Sequence, residues 1–172
     1  MKKLLLVGLV VGLLGGLVAG VSFAGTIDIS GRAGLFTAPG ASGTSAMYGL
    51  SASAKLTDSL SLRGAVETTS YTANGLATTY TPVTVDLIYS QTVGGLLHPY
   101  AGAGVSYNST TVGGATTSSA GAQAEAGLRF DFNGFSAGVE YRYIIPDLNH
   151  TNVNASSYNA YATGSFSQSL SF

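Results

Sequence analysis

Two histidines, His98 and His150, are the side chains best suited to move a proton near neutral pH. His98 precedes Pro99 at the start of an alternating apolar segment, which reads as a rim position. His150 sits in the polar run 149–157, near Thr151 and Ser156. A histidine beside a hydroxyl could activate a nucleophile if an acid oriented it. A solvated loop histidine is the simpler reading of this run, so no catalytic residue is assigned. The chain has no cysteine, which excludes thiol chemistry, disulfides and Cys-based metal sites. The glycine pairs at 94–95 and 113–114 fall in connections and lack a phosphate-loop pattern. Neither a cofactor nor a metal is expected. A net charge of −1 without a basic run argues against a nucleic-acid partner.

The remaining chemistry lies in the charges, which are scarce. Only 9% of the 172 residues are charged, against roughly 25% in an ordinary soluble domain. Residues 1–24 stand apart: a basic start, an apolar run from Leu4 to Val21, then Ser22-Phe23-Ala24. That order is expected of a cleaved export signal, with a retained helix as the alternative. Residues 25–172 then form one domain.

The domain must be built from strands, because its hydrophobicity alternates with period 2. Eight segments are expected: Thr26–Phe36, Ala46–Leu56, Leu60–Tyr71, Tyr80–Ser90, Pro99–Tyr107, Ala120–Phe132, Phe135–Tyr143 and Tyr158–Phe172. Connections after the second and sixth are short, at 57–59 and at Asn133-Gly134, a strong two-residue hairpin signal. Those after the first, third, fifth and seventh read as longer polar loops. An even strand count with alternating short and long links describes an all-β, eight-stranded antiparallel up-and-down barrel of the transmembrane type.

Charge position separates a membrane barrel from a soluble one. Of the charges beyond residue 24, Asp58 and Asp147 lie in connections; the other eleven all lie opposite the apolar face of their segments. Aromatic residues mark the segment ends on the apolar face. Phe132, Phe135, Tyr89 and Phe172 form one rim; Tyr48, Tyr107, Tyr141, Tyr143 and Tyr158 form the other. Paired girdles of this kind suit lipid interfaces. An interior of eight strands is about filled by side chains, and buried charges must pair. The Asn133-Gly134 turn sets Glu125 across from Arg142, Gly127 across from Glu140, and Arg129 diagonal to Glu140. A lumen network of Glu125, Arg129, Glu140 and Arg142 is expected to block the barrel, with an ion-selective constriction as the alternative.

The segment His98–Asn108 resembles the OmpA/OmpX-type outer-membrane barrel family, through Pro99, Tyr100, Gly102, Gly104 and Tyr107. Residues 135–144 are similar to the family's penultimate strand at Glu140, Tyr141, Arg142 and Tyr143. The terminal Phe172 resembles its assembly signal; Gln168 departs from the pattern on the lipid side. The resemblance implies a bacterial outer-membrane location, the lipid bilayer and the barrel-assembly machinery as partners, and a monomer. Residues 149–157 weakly resemble the His-x-Ser-Asn motif of lipid deacylases, but Asn152 stands where their serine would be. The expected role is structural or surface-exposed, through the outer loops. A narrow channel, a lipid-modifying enzyme and a soluble periplasmic barrel are the alternatives.

Overall fold

In the computed structural model the described residues are 26–167, apart from 40, 42, 74, 134, 153 and 154. They form eight strands in chain order: β1 (Thr26–Thr37), β2 (Thr44–Lys55), β3 (Leu60–Ala73), β4 (Leu76–Ser90), β5 (Leu97–Val112), β6 (Ala115–Phe132), β7 (Phe135–Ile145) and β8 (Ala155–Ser167). Each pairs antiparallel with the next, and β8 returns to β1 to close the barrel. Closure pairs the strands on both sides and leaves no free strand edge at mid-barrel.

The period-2 pattern sorts the side chains. Leu50, Val105 and Val139 lie on the outer wall, each more than half exposed. The eleven strand charges face inward, and eight of them are buried. Pro82 has no N–H to donate, so the β3–β4 ladder is interrupted between Val66↔Val83 and Thr69↔Tyr80.

The connections differ from the sequence reading in one respect. The polar stretches after the third and fifth segments are strand, not loop. β3 ends at Ala73 and β4 begins at Leu76, and β5 and β6 turn at Gly113-Gly114. Gly75, Gly113 and Gly114 have φ of 77°, 55° and 92°, the left-handed region these tight turns need. The flanking threonines are β-branched and favour extended backbone. Two hairpins therefore carry the β3–β6 half of the barrel past the shorter strands. At the opposite end Asn133 takes φ 41° in the β6–β7 turn, where Phe132 faces Phe135.

The lumen is layered. At the end carrying residues 38–43 and 146–154, the inward Phe36, Met47, Tyr80, Ile144 and Ala155 form a buried apolar cluster. Phe36 stacks on Tyr80 at 5.1 Å between ring centroids. Tyr80 donates its hydroxyl to Asn108 at 2.8 Å, so the cap buries no lone phenol. Arg–carboxylate pairs fill the middle, and serines together with Asp28, Lys55 and Arg129 line the short-turn end.

Candidate functional site

Seven strands bring their long polar side chains to the middle layer. Arg142 on β7 grips Glu67 on β3 with both terminal nitrogens, at 2.5 and 2.9 Å. Two parallel bonds of this kind are the strong geometry for a guanidinium and a carboxylate. Arg32 on β1 meets the same Glu67 at 3.0 Å and also contacts Glu140. Arg63 on β3 lies 2.8 Å from Glu140, contacts Glu125, and reaches Asp86 at 3.6 Å. Glu140 additionally accepts the hydroxyl of Tyr100 at 2.8 Å. Gln123 donates to Asp86 at 2.5 Å. The guanidinium of Arg32 also lies 5.8 Å from the ring centre of Tyr161.

Glycine makes the room. A methyl group on Gly49 would collide with Glu67, one on Gly104 with Asp86, and one on Gly127 with the ring of Tyr100. The inward face thus alternates between absent and long side chains, and the network fills the section that the glycines leave open.

Three guanidinium groups face four carboxylates here. Arg142 and Glu67 are each 1% exposed, and Glu140 is fully enclosed. Glu125 is the least supported carboxylate, since its Oε1 has no hydrogen-bond partner. Every acid in the layer is held by a cation or a donor, and the hydroxyls of Tyr100 and Thr84 donate to Glu140 and Asp86. The arrangement is one of mutual charge compensation across the section of the barrel.

The register sets Glu125 opposite Arg142, Gly127 opposite Glu140 and Arg129 opposite Gly138. Three of the four expected network residues, Glu125, Glu140 and Arg142, meet in this layer. Glu125 nevertheless pairs with Arg63, and Arg142 with Glu67. Arg129 is a correction: its partner is Asp131 at 2.9 Å, near the short-turn rim. It stands four residues along β6 from Glu125, too far toward the rim to share that carboxylate's layer. Arg32, Arg63, Glu67 and Asp86 were legible as inward charges, but no local turn relates their strands to β6 and β7. Phe172 and Gln168 lie outside the described residues.

Both histidines have carboxylate neighbours. His150 is exposed, with Nδ1 2.8 Å from Asp147 Oδ2. His98 touches Thr92 Oγ1 at 3.1 Å and Asp131 at 3.1 Å. That hydroxyl–imidazole–carboxylate chain spans two strands and a turn. Between the rim and the charged layer, two adjoining cavities of about 50 Å³ each are lined by Asp28, Ser53, Ser61, Ser90, His98 and Arg129. Each has room for a few waters. Among the described residues, no group of three or more His, Asp or Glu side chains is placed to hold a metal ion.

No family model matches the chain, and no curated protein sequence matches it. Solved structures do share its fold. Neisserial surface protein A superposes with a TM-score of 0.67 at 18% identity, covering 84% of this chain and 98% of that one. The N-terminal barrel of Pseudomonas aeruginosa OprF gives 0.62 at 21%, covering 83% and 99%. The outer-membrane enzyme PagL gives 0.51 at 22%, covering 79% and 97%.

Proposed function

From the premise that this chain has the fold of the small eight-stranded outer-membrane barrels, we propose that it is a closed, non-enzymatic barrel of the bacterial outer membrane. Its role is structural and surface-presenting, through the strand extensions and loops at the capped end. The observation that carries this reading is the stacking of two closures in one lumen: the cap around Phe36 and Tyr80, and the Arg–Glu layer beneath it. A water-filled path would have to break both.

Catalysis is the less supported reading, although PagL, an enzyme, shares the fold. The Thr92–His98–Asp131 chain has nucleophile, base and acid in order, but Arg129 already neutralises Asp131. An acid so paired gives little support to an imidazolium. A narrow channel is favoured only by the cavities at the short-turn end.

Planar-bilayer recording tests the closed lumen. The purified barrel is expected to give no regular conductance steps. Reproducible steps that disappear on changing Arg142 or Glu125 would establish a pore and overturn the proposal.

A further inference from the structure

The outer wall changes chemistry abruptly on β3–β6. Val66, Val83, Tyr107 and Ala120 are successive partners across these strands and close the apolar wall. One step further out stand Thr68, Thr81, Ser109 and Ser118; Thr68 and Thr81 hydrogen-bond across β3 and β4 at 3.2 Å. The next row is Ser70, Thr79, Thr111 and Thr116, again in direct register. Two rows across four strands thus present hydroxyls and nothing else. No charged residue occurs from Thr68 to Val85 or from Val105 to Ala124.

We propose that this array is a contact surface for the saccharide head of an outer-leaflet glycolipid. The inference rests on the outer-membrane reading given above. Three features specify the occupant. The array continues the lipid-facing wall upward without a break, so its neighbour is whatever lies directly above the hydrocarbon. It has no cation, which disfavours a phosphate or sulfate group as the main contact. It also has no aromatic or arginine anchor of the kind that protein interfaces use.

Hydroxyls remain, each able to donate and to accept. Sugar hydroxyls have the same dual character, so either partner can turn to suit the other. The sheet fixes the spacing at about 4.8 Å between strands and about 6.8 Å between alternate residues along a strand. Cross-strand bonds pre-order the side chains, as between Thr111 and Thr116 at 2.9 Å and between Ser70 and Thr79 at 3.2 Å. Threonine is stiff at χ1, so little rotamer freedom is lost on contact.

The test uses the whole barrel in phosphatidylcholine nanodiscs doped with lipopolysaccharide bearing its core oligosaccharide, or with lipid A lacking those sugars. Intact-particle mass spectrometry counts retained glycolipid and barrels. The native chain is expected to retain the core-bearing lipid several-fold more than lipid A. The combined variant Thr79→Val, Thr111→Val, Thr116→Val keeps the β-branched shape and is expected to lose that preference. Equal retention by the variant, or of lipid A, overturns the proposal. So does pairing of two barrels through this face, or equally tight binding of the free oligosaccharide. Heat-dependent gel mobility is read in every arm. A barrel that inserts without selecting the glycolipid refutes this inference alone, whereas one that never inserts refutes the membrane reading beneath it.

Discussion

At the scale of single residues, the buried Arg–Glu contacts decide how the lumen is held. Removing one partner of a buried pair strands the other and costs about 3–5 kcal/mol. Arg142→Ala is expected to destabilise the barrel in that range, since Glu67 would keep only Arg32. In a double-mutant cycle, Arg142 and Glu67 are expected to couple by about 1–3 kcal/mol. Arg142 and Glu125, which face each other but bond elsewhere, are expected to couple less. Urea unfolding in detergent, followed by gel mobility, measures both cycles; a larger Glu125–Arg142 coupling would contradict the observed contacts. The exposed loop offers a milder case. The hydrogen bond from His150, then that from the Asn149 N–H, holds the Asp147 carboxyl below its ordinary range. A depressed value means that the contact helps the folded state above the usual carboxylate range and fades as pH falls through the depressed one. His150→Ala is expected to raise the Asp147 titration midpoint, read by carboxylate NMR; an unmoved midpoint would show that the bond does not form in solution.

At the scale of elements, hairpins show what can be read from sequence. Asn133-Gly134 fixed the β6–β7 register in advance, because two residues of known turn chemistry leave one pairing available. The same logic was present at Asn74-Gly75 and Gly113-Gly114. There the flanking threonines and serines disguised strands as loop, because a polar outer face erases the alternation that marks a half-buried strand. The neighbour order followed from the up-and-down barrel, but the register between strands joined by longer connections was not legible. The partnership of Arg142 with Glu67 is set by barrel closure, which no local signal encodes. Gly114 has φ 92° at the β5–β6 tip, where no Cβ sits comfortably. Gly114→Val is expected to open that tip to protease while leaving barrel stability nearly unchanged. Limited proteolysis beside an unfolding curve checks this; loss of the barrel itself would mean that the hairpin braces the rest of the barrel.

At the scale of the whole molecule, the layered lumen gives the barrel two unlike ends. The native chain contains no cysteine, so single thiols can be placed and probed without background. Ser53→Cys and Ser61→Cys, in the cavities of the short-turn end, are expected to react with a water-soluble maleimide added on that side. Ser157→Cys, at a position with 0% exposure, is expected to stay unmodified from either side. Labelling of Ser53→Cys from the capped side would mean that the apolar cluster leaks. On the closed-lumen reading proposed above, the apolar cluster around Phe36 seals one end of the barrel. Water and small ions that meet the arginines must enter and leave by one mouth. The charged layer then equilibrates with a single compartment, as the floor of a well does, and acid or salt applied beyond the cap leaves it unchanged.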